Sequence, residues 1–234
     1  MTLTLDNVRA GHGAADVLRG LSLSVGGSEI VGLMGRNGAG KTTALRTILG
    51  LVETRGGTIM LDGAVISGLA AHEVPRRGVS YVPQGRRLFN AMTVEDNLRM
   101  GLALRGSGEV VRERVLTLFP ILRQRLRQIA GTLSGGEQQM LATARALCTE
   151  PTVLLLDEPS EGLVPEIVNR ILETLVQLKA QGVAILLVEQ KVKSALKVCD
   201  RILLLEDGAV RHEGTAKALA ADPLPLERYI GVHR

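Results

Sequence analysis

Residues 35 to 43 read Gly-Arg-Asn-Gly-Ala-Gly-Lys-Thr-Thr. Gly35, four free positions, then Gly40-Lys41-Thr42 is the spacing of a loop in which successive backbone N–H groups converge on phosphate oxygens at a helix N-terminus. Gly35, Arg36, Asn37, Gly38, Ala39, Gly40, Lys41, Thr42 and Thr43 are therefore candidates to hold nucleotide phosphates. Lys41 has the length and charge to reach the terminal phosphates, and Thr42 has a hydroxyl for magnesium. A second chemical cluster lies far downstream, where the apolar run Thr152 to Leu156 ends in Asp157-Glu158-Pro159. A carboxylate at the end of a buried strand is what a magnesium nucleotide site requires beside its cradle. Asp157 fits the metal, and Glu158, pointing differently, fits the orientation of an attacking water. Alone, Asp-Glu-Pro reads as a polar turn; the upstream cradle turns the balance. A third stretch, Leu133-Ser-Gly-Gly-Glu-Gln-Gln-Met140, opens a helix with Ser134 as cap and two glycines that leave N–H groups exposed, which makes it a second anion site or a plain capped helix start.

These residues need a framework, and the hydrophobic pattern supplies one. Leu3 to Val8 and Val17 to Val25 alternate apolar and polar residues, as antiparallel strands separated by the turn at residues 11 to 13. Ile30 to Met34 is a buried strand that feeds the cradle, and the helix after Lys41 ends by Gly50. Short strands at Gly57 to Gly63 and Val79 to Val82 complete what reads as a β-rich opening section. From Thr93 to about Thr149 the spacing is helical, with Val94, Leu98 and Leu102 on one face and Val111, Val115 and Leu118 on another. Thr152 to Leu156 and Val183 to Val188 are continuous apolar runs, as strands buried on both faces should be, joined by a helix that Pro165 opens with Ile167, Ile171, Leu175 and Leu178 on one face. These are βαβ units around a parallel sheet. Arg201 to His212 reads as a hairpin turning at Asp207-Gly208, followed by short helices near 216–221 and 224–230.

Composition narrows the function. The 234 residues are 45% hydrophobic but only 2% aromatic, so the core is filled by aliphatic side chains and stacking platforms for single-stranded nucleic acid are nearly absent. The net charge of +4 comes largely from scattered arginines, which suit a solvated surface or a basic face toward an anionic membrane or nucleic acid. Cys148 and Cys199 have no metal-ligand spacing and read as buried free thiols in a reducing compartment. The N-terminus alternates like a strand rather than a signal peptide, and no apolar run reaches the roughly 20 residues needed to span a bilayer. A membrane role has to be borrowed from partners.

Together these motifs resemble the nucleotide-binding subunit of an ATP-binding cassette transporter, whose signature Leu133-Ser-Gly-Gly-Glu-Gln-Gln139 matches, over nearly the whole chain. The resemblance implies one nucleotide-binding domain over residues 1–234, an α/β P-loop NTPase (RecA-like) core of mostly parallel strands with an N-terminal antiparallel β subdomain and an inserted α-helical subdomain at about 90–149. It implies ATP and magnesium as cofactors. Ser134, Gly135 and Gly136 would contact the γ-phosphate of ATP held by a second ATP-binding subunit in a head-to-tail dimer. Gln84 of Tyr-Val-Pro-Gln would touch magnesium and the attacking water and report to the helical insertion. His12 falls where the family often stacks an aromatic ring on adenine, and it is otherwise a turn residue. Two departures stand out: Gln190 replaces the histidine that commonly contacts the γ-phosphate, and Val164 replaces an acid in the loop after Glu158.

Gly85-Arg-Arg-Leu-Phe89, Met92 to Asn97, Glu158-Pro-Ser-Glu-Gly-Leu163 and Leu187-Val-Glu-Gln190 resemble one of the two ATPases of branched-chain amino acid importers, a pattern shared with importers of urea or short amides. The expected partners are transmembrane permease subunits and, indirectly, a solute-binding protein, at the cytoplasmic face of the membrane, with no nucleic acid. A soluble cassette ATPase acting on ribosomes or DNA commonly carries two cassettes or long coiled coils; this chain has one cassette and no sustained heptads. A nucleotide-holding module without hydrolysis conflicts with the presence of Glu158.

Overall fold

In a computed structural model, which describes residues 2–106 and 108–231, two sheets face each other. The six-stranded sheet has the order β10-β9-β3-β8-β7-β6 and is built from β3 (Ile30–Gly35), β6 (Val79–Val82), β7 (Val153–Asp157), β8 (Ala184–Val188), β9 (Arg201–Glu206) and β10 (Ala209–Thr215). Five of its strands are parallel, and β10 joins β9 antiparallel. The four-stranded antiparallel sheet has the order β2-β1-β4-β5, from β1 (Thr2–His12), β2 (Ala15–Gly26), β4 (Thr54–Leu61) and β5 (Ala64–Val65). The opening strands therefore do not form one unit: β3 and β6 belong to the parallel sheet. The difference follows from burial. Every residue of β3 is buried, and β6 is buried at three of its four positions, whereas β1, β2 and β4 expose side chains along their length.

Period-2 geometry sends alternate residues of the parallel strands into two cores. Ile30, Met34, Leu154, Leu156, Ile185 and Leu187 face a helical layer, while Val31, Leu33, Val153, Leu155 and Leu186 face the antiparallel sheet through Leu5, Leu21 and Ile59, together with Leu45 and Ile48 of α1 (Lys41–Ile48). Between β6 and β7 lie α2 (Val94–Arg105), α3 (Glu109–Leu118), α4 (Pro120–Gln124) and α5 (Gly135–Leu147). In α3 the buried face is Val111, Val115 and Leu116, with Leu118 only partly buried. After β7 come α6 (Pro165–Ala180), then α7 (Val192–Val198), α8 (Ala216–Ala221) and α9 (Leu224–Ile230). Both cysteines are buried, and burial pushes each thiol up to about 12, so neither supplies a thiolate.

One buried amide organises the segment leading into α2. Asn97, fully buried, donates from Nδ2 to the carbonyls of Phe89 (3.1 Å) and Thr93 (3.0 Å) and accepts from the Phe89 N–H (3.1 Å). Thr93 caps the same helix, its hydroxyl oxygen accepting from the Asp96 N–H at 3.1 Å.

The parallel register brings Gly35, Asp157 and Val188 to one edge of the sheet, at the carboxyl ends of β3, β7 and β8, where ligands bind in open α/β folds. The C-terminal hairpin locks this edge. Gly208, at its turn with φ +75°, donates its N–H to the Ala39 carbonyl (3.1 Å) and accepts from the Arg19 N–H (3.0 Å). A Cβ there would lie 1.9 Å from the Val17 carbonyl oxygen. We expect Gly208→Ala to cost about 2 kcal/mol or more from strain and collision, lowering Tm by roughly 4–8 °C and weakening nucleotide binding. Calorimetry with and without ATP checks both.

Candidate functional site

The cradle folds as its glycines require. Gly40, left-handed at φ 108°, stands at the N-cap of α1, and the N–H groups of the first turn are left without side-chain caps. Lys41 is only 6% exposed and turns back over the loop, Nζ donating to the carbonyls of Gly35 (2.8 Å) and Arg36 (3.0 Å). Burial holds its ammonium below the ordinary lysine value, opposed by the charges of Glu158 and Asp157. An open cleft of about 640 Å³ lies against the loop, lined by Asn37, Gly38, Gly40, Lys41, Thr42 and Thr43 on one side and by Gln84, Glu158, Glu161 and Gln190 on the other.

Asp157, 1% exposed at the end of β7, accepts from Thr42 Oγ1 (3.2 Å) and from the Tyr81 hydroxyl (3.1 Å). Burial raises its carboxyl above the usual range, while the two hydroxyls, Arg46 and Lys41 pull it back. The neighbouring Tyr81 hydroxyl is raised in turn by burial and by the Asp157 charge. Glu158 lies one residue past the strand with φ 50°, a left-handed conformation uncommon outside glycine. This turn, more than strand alternation, separates the two acids. Its N–H still bonds the Val188 carbonyl at 2.9 Å, but its side chain swings to Gln190 Nε2 (2.7 Å) and Gln84 Nε2 (3.1 Å). Burial raises the Glu158 carboxyl; the Gln190 bond and Lys41 lower it, and Asp157 and Glu161 raise it further.

Gln190 also approaches Asn37 Oδ1 at 3.4 Å, so it connects the end of β8 to both cradle and acid. Glu189, buried, accepts from the N–H groups of Gln190 (2.8 Å) and Lys191 (3.0 Å), which shapes that loop end, and Lys191 Nζ donates to the Ser160 carbonyl (3.0 Å). Thr42, Asp157 and Gln84 offer hard oxygen donors beside the phosphate loop, which suits magnesium. Among the described residues no group of three His, Cys, Asp or Glu side chains could hold a metal ion.

Ser134, Gly135 and Gly136 are not among the residues lining this cleft. Ser134 forms a capping box: its hydroxyl oxygen accepts from the Glu137 N–H (3.3 Å), and its N–H donates to Glu137 Oε2 (2.9 Å). The Ser134 hydroxyl also engages the Glu137 carboxylate, which closes the box on both sides. Gly136 has a local reason as well, since a Cβ there would lie 2.9 Å from Ile167 of α6. Val164, at the N-cap of α6, is exposed and contributes no side-chain cap. His12 lies at the end of β1 and lines a neighbouring hollow with Arg46, Leu51, Tyr81, Gln84 and Asp157, not the cradle cleft. Val17, Tyr81 and Glu161 join the site although the sequence assigned none of them a role; Val17 lines the cleft beside Gly40.

A glycine loop at a helix start, an acid pair at a strand end and a separate capped signature helix define a P-loop nucleotide-hydrolysing cassette. Comparison with known proteins makes this specific. The ABC transporter family pattern matches residues 18–161. The chain is 43% identical to the high-affinity branched-chain amino acid transport ATP-binding protein BraG of Pseudomonas aeruginosa, over 98% of this chain and 99% of that one. It is 36% identical to the lipopolysaccharide export system ATP-binding protein LptB of Haemophilus influenzae, over 98% and 97% of the two chains. A solved ATP-binding subunit of an ABC transporter superposes with a TM-score of 0.84 at 31% identity, covering 94% of this chain and 92% of that one. The chain belongs to the ABC transporter family and is one of its ATPases.

A carboxyl whose folded-state pKa lies above its unfolded value binds more protons when folded, so the fold loses stability as pH rises from the ordinary carboxylate range through the raised value. Asp157 is such a group. Asn at this position keeps partners, because the hydroxyls of Thr42 and Tyr81 can accept as well as donate. We therefore expect Asp157→Asn to raise the Tm of the nucleotide-free protein by a few degrees near neutral pH, an advantage that fades below about pH 4. Thermal melts across pH without magnesium check the sign.

Proposed function

We propose that the chain binds ATP with magnesium and hydrolyses it to drive a membrane importer for branched-chain amino acids. The observation that carries the hydrolytic part is Glu158, turned out of its strand into the cleft opposite Lys41 and held by Gln84 and Gln190. The phosphate loop binds the phosphates, Thr42, Asp157 and Gln84 hold the metal, and Glu158 orients and takes a proton from the attacking water. Magnesium supplies charge neutralisation on the transferred phosphoryl group. Gln190 donates to the same region without titrating. His12 is the residue at the adenine end.

The site is half complete in one chain. Ser134, Gly135 and Gly136 present a capping hydroxyl and first-turn N–H groups outside the cleft, which suits the γ-phosphate in a second ATP-binding subunit, a paralogue or another copy, placed head to tail. The helical stretch at about 90–149 acts as a subdomain that moves with this closure.

The membrane connection is borrowed, since among the described residues no helix is long and apolar enough to cross a bilayer. An apolar groove of about 420 Å³, lined by Leu51 after α1, by Phe89 in the loop before α2 and by Met100 and Leu104 on α2, suits a permease segment, with Gln84 at the near end of the same loop. The chain then sits peripherally on the cytoplasmic side, and the solute-binding protein acts through the permeases. The substrate rests on the 43% likeness to BraG across the whole chain, against 36% to LptB. Importers of urea or short amides are the second reading from the sequence pattern.

We expect Glu158→Gln to retain ATP binding and lose turnover by roughly 10²–10⁴ in the assembled complex; unchanged turnover overturns the base assignment. Cells lacking the chain should lose labelled leucine, isoleucine and valine uptake and regain it with the wild type but not with this variant. Undiminished uptake together with impaired lipopolysaccharide export would overturn the substrate. Met100→Glu, at a position 48% exposed on α2, should leave Tm unchanged and abolish co-purification with the permeases.

A further inference from the structure

Glu161 lies in the Glu158-Pro-Ser-Glu-Gly-Leu163 stretch with no role assigned to it, and it and Gln84 are the two side chains shared by the cradle cleft and by a second polar hollow. That hollow runs past Arg86 to Gln138 on the signature helix. They therefore form the partition between the phosphate loop and the signature helix. Gln84 Nε2 donates to Glu161 Oε2 at 3.0 Å and to Glu158 Oε2 at 3.1 Å. One amide nitrogen has two hydrogens, and both are committed to carboxylates. Its other end, Oε1, accepts no hydrogen bond from the described residues.

An amide between two carboxylates has only one sensible orientation. Carboxylates accept and never donate when ionised, so the NH₂ end must face them and the carbonyl end must face away. Glu158 alone would orient the amide through one bond, to Oε2, about which the side chain could still pivot. The second carboxylate turns a single, rotatable hydrogen bond into a two-point hold.

We propose that Glu161 is a positioning residue that fixes the side-chain amide of Gln84 with its carbonyl oxygen presented to the metal side of the cleft. The inference rests on the reading of Gln84 as a metal contact and Glu158 as the base. It gives the loop after Glu158 a task within its own subunit, set by a carboxylate three residues past the acid pair. The local backbone supports the placement: the Glu161 N–H bonds the Glu158 carbonyl at 3.1 Å, and Lys191 Nζ holds the Ser160 carbonyl at 3.0 Å, so Glu161 projects from a closed turn. In the isolated chain the Gln84–Glu161 pair is exposed at the mouth of the cleft. Closure of a second subunit over this mouth would remove competing water and strengthen the bond.

The test uses the full chain and the assembled transporter. In nucleotide-free protein labelled with ¹⁵N, the Gln84 side-chain NH₂ pair, assigned by its loss in Gln84→Ala, should be well dispersed. Glu161→Ala should collapse it toward the position of a free glutamine, whereas Glu161→Gln, which keeps an acceptor oxygen, should retain most of the dispersion. In the assembled complex, Glu161→Ala should raise the half-saturating magnesium concentration for ATP hydrolysis about three- to tenfold while leaving metal-free ATP affinity unchanged, and Glu161→Gln should restore it substantially. Unchanged Gln84 signals and unchanged magnesium dependence in Glu161→Ala would overturn the inference. Full turnover in Glu158→Gln, with the Gln84 signals behaving as described, would instead overturn the functional reading while leaving the hold on the amide standing.

Discussion

Two adjacent carboxylates buried at the end of a central strand, facing a buried lysine, set the terms for the rest of this structure. Asp157 and Lys41 are almost completely removed from water, and burial moves both pKa values toward the neutral forms. A fold tolerates such groups only when neighbours are arranged to hold them. Here the neighbours are hydroxyls, amides and backbone carbonyls: Thr42 and Tyr81 on Asp157, Gln84 and Gln190 on Glu158, and Gly35 and Arg36 on Lys41. All of these can be exchanged for phosphate oxygens and a cation without rebuilding the core. The lysine in particular spends its donors on loop carbonyls, partners weaker than a phosphate, so the cradle is shaped for a ligand with more negative charge than the chain supplies.

The sheet exists in this form to keep that cluster at one edge. A parallel register places Leu33, two residues before Gly35, level with Val188 and Asp157, so cradle, acid pair and glutamine loop emerge side by side from β3, β7 and β8. The antiparallel sheet closes one face, and the hairpin turn at Gly208 ties β2 to the cradle through Arg19 and Ala39. Some backbone strain lies at the site, as it also does at Asn7, Ser28, Asp62, Glu150 and Asp207 elsewhere. Glu158, Arg86 and Arg87 all carry positive φ, on either side of Gln84 in space, and such residues persist only where surrounding contacts over-determine them.

Much of this was legible in the sequence where a backbone geometry dictates a residue type. The phosphate loop, the uniformly apolar strands ending in Asp157, the capped helix at Ser134 and the Asp207-Gly208 hairpin all announce themselves because few residues satisfy those positions. What was not legible depends on contacts across the chain. Tyr81 meets Asp157 across 76 residues, and Glu161 meets Gln84 across 77, and no local period records either contact. Glu161 lies in a loop where an acid is unremarkable, and Tyr81 passes as an ordinary strand residue. The assignment of β3 and β6 to the parallel sheet was hidden for a related reason: a short strand states its burial but not its neighbour. Gly208 had a visible turn role, but its contact with Val17 belongs to packing.

The glutamine at position 190 shows how a departure from a family pattern can preserve geometry while changing chemistry. An imidazole at this place would change charge between about pH 5 and 8 and could donate from one nitrogen while accepting at the other. Gln190 donates to Glu158 at 2.7 Å through an amide that carries no charge at any ordinary pH. Its hold on Glu158 therefore does not depend on a neighbouring proton, and the only groups at the cleft whose charge can change are the acids and Lys41 themselves. With Gln84 on the other carboxylate oxygen, Glu158 is gripped by two neutral donors. Neutral donors stabilise the ionised carboxylate without adding positive charge that would compete with a metal for it. An amide clamp in place of a titrating one thus leaves the charge at Glu158 to be set by the carboxylates and the lysine around it.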